Sequence, residues 1–127
     1  MRRIDGIGVC LVGVAVVGLL RYRAIYVEPV SWGARCAPDA APLACAPRAV
    51  LLWLQQKQLW GALALLVGVC AFFIEHVAMA VAAVLFGAMA VINYNATWGM
   101  LGLALGGWIW IMSVPTAGSS ATTARQE

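Results

Sequence analysis

Four apolar stretches, separated by short polar punctuation, organise this chain. The first runs from about residue 4 to residue 27 and stops at Glu28-Pro29, because the residue before a proline is driven out of the helical region. Its uncharged centre, Ile7 to Leu20, is too short to cross a bilayer alone. Arg21, Tyr22, Arg23 and Tyr26 are therefore expected at the interface, the arginines snorkelling and the tyrosines joining an aromatic belt. The second stretch is predicted over about 48–74, with Pro47 as a favourable first-turn residue. The segment "QQKQ" at 55–58 leaves only Leu59 to Ile74 for hydrocarbon, with Trp53 and Trp60 bracketing the polar patch at headgroup depth. The third stretch covers about 77–92 and the fourth about 96–114, which Pro115 ends.

The connections set the topology. Glu75-His76 is nearly all that joins the second and third stretches, and Asn93-Tyr94-Asn95 nearly all that joins the third and fourth, so these helices should be antiparallel neighbours. Only the link at 28–47 is long. The expected fold is all-α, a compact bundle of four transmembrane helices forming one domain over residues 1–115. A small, polar, disordered tail follows at 116–127. No inverted internal repeat of the transporter kind is visible. Gly99, Gly102 and Gly106 share one face of the fourth helix. Gly6, Cys10 and Gly13 do so on the first, and Gly61, Ala64 and Gly68 on the second. Small residues at such spacings let helix backbones approach closely, within the bundle or, on the fourth helix, across a homodimer seam. Cys10 and Cys70 read as small packing residues inside helices.

Composition sharpens this picture. The chain of 127 residues is 64% hydrophobic and 10% charged, with a mean hydropathy of +0.91, far too apolar to cover a water-soluble surface. Its start, "MRRIDGIGVCLVGVAVVGLL", has the outline of a secretory signal. The following "RYRAIYVEPV" lacks a small-x-small cleavage site, so an uncleaved first helix is expected. The net charge is +3, and the eight cations, seven of them arginine, form no run. Nucleic acid is excluded as a partner on that ground, and membrane lipids are the expected one, beside a homo-oligomer or a larger membrane complex.

Two of the four cysteines, Cys36 and Cys45, lie in the long link. A redox centre usually places its cysteines two residues apart, and a zinc site needs four ligands where the chain has one histidine. A structural disulfide closing a proline-punctuated loop is the expectation, and it requires an oxidising, extracytoplasmic side. The arginines argue the other way: Arg21, Arg23, Arg35, Arg48 and Lys57 lie on the loop side, which the positive-inside rule would keep in the cytoplasm. The cysteines are given more weight, which places both termini in the cytoplasm.

Candidate chemistry is sparse. Glu75-His76 reads as an interfacial hairpin turn, and "NAT" at 95–97 as a glycosylation pattern too near the membrane to use. The loop-side end gathers Arg21, Arg23, Tyr26, Glu28, Gln55, Gln56, Lys57, Asn93, Tyr94 and Asn95. Of these Arg21, Arg23, Tyr26, Lys57, Asn93 and Tyr94 are the candidate site for a lipid phosphate or a quinone headgroup. No catalytic residues, metal or cofactor are expected. The sequence thus predicts a non-catalytic accessory, assembly or lipid-interacting protein of a bacterial inner membrane. The alternatives are a thiol–disulfide or quinone-linked oxidoreductase using Cys36 and Cys45, and a small oligomeric channel or exporter.

Overall fold

The computed structural model describes residues 3–37 and 42–113. Asp39, Ala40 and the polar tail at 116–127 lie outside the described residues. Within them every regular element is helical. Helix α1 spans Arg3–Tyr22 and continues through one π-turn at Arg23–Val27, closed by the Glu28 N–H donating to the Arg23 carbonyl at 3.0 Å. Pro29, with extended backbone, then starts the short helix α2, Val30–Arg35, within the long link that the sequence marks only as a loop. Helices α3 (Cys45–Gln56), α4 (Leu59–Ile74), α5 (Val77–Ile92) and α6 (Ala96–Ser113) follow.

The expected second helix is in fact two, α3 and α4, whose axes differ by 67°. Lys57 and Gln58 end α3 through N–H bonds to the carbonyls of Trp53 and Gln55, both at 3.0 Å, and Gln58 then enters the left-handed region at φ 55°. The amide side chains of this segment favour water over hydrocarbon, which leaves only the residues from Leu59 onward apolar enough to run straight. The first turn of α3 also begins earlier than residue 48, at Cys45, whose N–H bonds to the Pro42 carbonyl at 2.9 Å.

Helices α4, α5 and α6 pack against one another, while α1 lies mainly against α5. The centre is made of small residues. Ala64, Ala71, Ala80, Ala83 and Ala90 are fully buried, and Ile109 is the one large apolar side chain buried among the described residues. Large apolar groups point outward instead, including Leu11, Leu66, Phe73, Trp108 and Ile111. A soluble protein would bury these; a chain solvated by lipid gains little by doing so and gains most from close backbone contact. That contact is severe at Gly102. A Cβ built there would collide with the Ala64 carbonyl oxygen, and one on Gly68 would stand 3.0 Å from the Gly102 Cα. Gly99 and Gly106 face α5 in the same way, their notional Cβ atoms 2.7 Å from the Ala90 Cβ and 2.6 Å from the Ala83 Cβ.

On α1 the expected small-residue stripe is wrong. Gly6 and Gly13 have no neighbour within 4 Å of a notional Cβ, and Cys10 is exposed rather than packed. The inward face is offset by two residues, through Asp5, Gly8, Val12, Leu19 and Arg23, and Gly8 meets the Trp110 ring and Val81. Cys70 is half-buried.

Two helical runs are long and apolar enough to cross a membrane, Asp5–Val27 and Ala96–Ser113, and the bent pair α3–α4 makes up to three. Helix α5 has 16 residues, about 24 Å at 1.5 Å per residue.

Replacing Gly102 and Gly107 by alanine separates contact from propensity. Gly102→Ala should lower stability by about 1–3 kcal/mol, the usual cost of overpacking. Gly107→Ala, where a Cβ meets nothing within 4 Å, should be neutral or stabilising by up to about 1 kcal/mol through helix propensity. Thermal unfolding in mild detergent compares them, and equal midpoints would show that the α4–α6 contact is loose.

Candidate functional site

Three of the six candidate residues, Arg23, Asn93 and Tyr94, gather around one buried cation. Arg23 is the first residue of the π-turn, and such turns occur disproportionately where a side chain has been re-aimed for function. It is only 5% exposed, so it does not snorkel as the sequence reading expected. Its Nη1 donates to Asn93 Oδ1 at 3.0 Å, across 70 residues of sequence. Asn93, at 0% exposure, is itself fixed, because its Nδ2 donates to the Met89 carbonyl at 2.8 Å and so turns its oxygen toward the arginine. The Tyr94 ring lies against the same guanidinium, 4.8 Å from ring centroid to Cζ.

The turn Asn93-Tyr94-Asn95 thus assigns one task to each residue. Asn93 accepts from Arg23, Tyr94 covers it, and Asn95 donates from Nδ2 to the Gln55 carbonyl at 3.4 Å, touching the α3–α4 break. Tyr94 does so in the left-handed region at φ 60°. Asparagine tolerates that conformation better than a bulky aromatic residue. Asparagines stand on both sides, yet the strained position holds tyrosine, whose ring is the one that reaches Arg23.

Among the described residues no carboxylate forms an ion pair with Arg23. A hydrogen bond from a neutral amide and a ring face offset only part of the cost of taking a guanidinium out of water. The wider field is also positive. Five cations, Arg21, Arg23, Arg35, Arg48 and Lys57, lie between residues 21 and 57 against the two acids Glu28 and Asp39. This stretch of sequence thus carries an excess of positive charge, and a planar guanidinium suits phosphate oxygens best.

Not every candidate joins this cluster. Tyr26 stacks with Tyr22 at 5.2 Å between centroids and meets Trp32 of α2 at 5.1 Å, while Arg35 sits over the Trp32 ring at 5.6 Å. Arg21 and Lys57 are exposed, and Lys57 stands at the α3–α4 break. Cys36 and Cys45 are joined at an S–S distance of 2.05 Å with their Cα atoms 5.6 Å apart, which ties the end of α2 to the start of α3. Glu75 and His76 are both exposed in the α4–α5 turn. Gly99, Gly102 and Gly106 are buried in the helix contacts described above.

Sequence reasoning missed Asp5 and Trp110. Asp5 is 3% exposed and accepts a hydrogen bond from Trp110 Nε1 at 3.2 Å, at the opposite end of α1 from Arg23. An acid inside the first apolar stretch was the available signal. Among the described residues no cluster of three metal-ligating side chains occurs. The chain matches no protein-family model, no curated protein and no solved structure.

The cluster makes its own test. Asn93→Leu removes the acceptor of a buried charged donor and should cost about 1.5–3 kcal/mol. Tyr94→Phe keeps the ring and should match the parent, whereas Tyr94→Gly relieves the backbone and loses the ring. If the cation–ring contact outweighs the strain, Tyr94→Gly unfolds at a lower temperature than Tyr94→Phe. The reverse order would reduce Tyr94 to a turn residue.

Proposed function

We propose that this chain is a non-catalytic, lipid-interacting accessory protein of a bacterial inner membrane. In this reading α1, the bent pair α3–α4, α5 and α6 form a four-helix transmembrane bundle, and residues 28–47 form an extracytoplasmic cap locked by Cys36–Cys45. The observation that carries the proposal is Arg23: a buried guanidinium with no carboxylate partner among the described residues, in the most cationic part of the chain. The exposed Arg21, two residues away, and the part of Arg23 left open offer a phospholipid phosphate a cationic site at the depth where a helix end meets headgroups. The outward-facing large apolar residues and the small-residue centre support the membrane setting.

The oxidoreductase alternative gains nothing from the sulfur geometry. Thiol–disulfide exchange requires a nucleophile to reach a sulfur, and Cys45 is 7% exposed with Cys36 half-buried. A structural clasp is the better use of the pair. The channel alternative lacks a charged path through the α4–α5–α6 centre, which is built of alanine and glycine.

Retained lipid measures the principal claim. Native mass spectrometry of the full chain from mild detergent should show a bound anionic phospholipid, and Arg23→Gln should lose it while remaining folded. Unchanged retention by that variant would remove Arg23 from any headgroup site.

Orientation and clasp are tested together. A reporter inserted at Ala40 should score external and one fused after Ser120 cytoplasmic. Cys36→Ala with Cys45→Ala should lower stability by about 2–3 kcal/mol, with any cellular activity falling in step with protein level. Normal abundance with complete loss of activity would restore the redox reading.

A further inference from the structure

Helix α4 has a second lipid-like feature, separate from Arg23. Its inward face carries Gly61, Ala64, Gly68 and Ala71. Ala62 and Leu66, both exposed, form a ridge on the other side. An apolar groove flanks each slope of this ridge, and both residues line both grooves. The groove toward α6, about 530 Å³, is walled by Leu65, Val69 and Trp98. The groove toward α5, about 520 Å³, is walled by Leu63, Trp60 and Phe86. The ridge is lowest at Ala62, close to the α3–α4 break.

The chemistry changes abruptly at that break. Lys57 and Gln58 line the mouth of the α6-side groove. Next to them lies a polar cavity of about 450 Å³, bounded by Gln55, Gln56, Gln58 and Asn95. A cation and several amides therefore stand at the head of two parallel hydrocarbon channels. We propose that one diacyl anionic phospholipid straddles α4, its phosphate at Lys57, its headgroup among the glutamines and one acyl chain in each groove. Charge complementarity selects the anion. Two grooves that share a ridge select two chains over one, so a quinone or a free fatty acid, each with a single tail, fills only half the site. The 67° bend makes the site, since a straight α3–α4 helix would carry Gln55 and Gln56 away from the headgroup region in line with α4. The inference rests on reading the chain as a membrane protein, and it adds a second lipid to the one assigned to Arg23.

The experiment uses the full chain in nanodiscs of mixed phosphatidylglycerol and phosphatidylcholine, released into mild detergent for native mass spectrometry. The parent should retain two phosphatidylglycerol molecules. Lys57→Gln should lower retention of one of them about fivefold, the weight of one lysine at an anionic surface. Ala62→Phe, at an exposed position on the outer side of α4, should displace that lipid by raising the ridge into both grooves. Lysophosphatidylglycerol, with one chain, should compete for it only weakly. Arg23→Gln should remove the other lipid and leave this one bound. A retained species with a single chain overturns the proposal, as does unchanged retention in both Lys57→Gln and Ala62→Phe. Should Ala62→Phe fail to fold, Lys57→Gln and the single-chain competition decide. If only Arg23→Gln loses lipid, the α4 site falls and the Arg23 reading stands; if only Lys57→Gln and Ala62→Phe lose it, the reverse holds.

Discussion

The fold depends on how closely three backbones can approach. Gly68 of α4 meets Gly102 of α6, Gly87 of α5 meets Gly99, and Gly106 meets Ala83, so a methyl group at several of these points has nowhere to go. In water this arrangement would be weak, because glycine and alanine bury little apolar area. In lipid the solvent is as apolar as leucine, and close van der Waals contact becomes the main force available between helices. The same constraint explains why Leu66, Phe73 and Trp108 face outward. The joints beside these contacts are short, Glu75-His76 between α4 and α5 and Asn93-Tyr94-Asn95 between α5 and α6.

Those joints have a common feature. The α3–α4, α4–α5 and α5–α6 junctions each place one non-glycine residue in the left-handed region: Gln58, Glu75 and Tyr94. Such residues cost about 1–2 kcal/mol apiece relative to an ordinary conformation. At Glu75 the polar side chain is simply exposed. Gln58 and Tyr94 border the same polar cavity at the loop-side end, so two of the three strained positions converge where the cations are. Strain kept beside a buried arginine held by a neutral amide and a ring face is a stronger pointer to function than either feature alone.

The helix boundaries were legible because proline and polar doublets mark them. Val77–Ile92 and Ala96–Ser113 follow from apolar runs bounded by Glu75-His76, Asn93-Tyr94-Asn95 and Pro115. The α6 and α4 stripes were also visible, since glycine at spacings of three and four has few other uses inside an apolar helix. The α1 stripe misled because Gly6 and Gly13 have that spacing but face outward. Periodicity gives a face, and only the neighbours decide whether it is covered. The bend at Lys57–Gln58 was half visible, as a polar patch that had to leave hydrocarbon, but a patch does not give an angle. The burial of Arg23 was invisible for a different reason. It depends on Asn93, 70 residues away, and on a π-turn, which has no sequence signature short enough to see.

The two polar clamps on α1 set its place. Asp5 meets Trp110 at one end and Arg23 meets Asn93 at the other, and between them α1 touches its neighbours through small and apolar groups. Asp5 and Arg23 are eighteen positions apart, about 27 Å of α-helix at 1.5 Å per residue. The hydrocarbon core of a bilayer is about 30 Å thick. Both clamps therefore fall where hydrocarbon gives way to headgroups if α1 crosses the membrane near its normal. At that depth a buried ionisable group is within reach of water or phosphate, which is the least expensive place to keep one. Moving either clamp one turn inward would strand its charge in hydrocarbon. If α1 crosses a membrane, the spacing of Asp5 and Arg23 sets its depth, and their bonds to Trp110 and Asn93 carry the same constraint to α6 and to the α5–α6 turn.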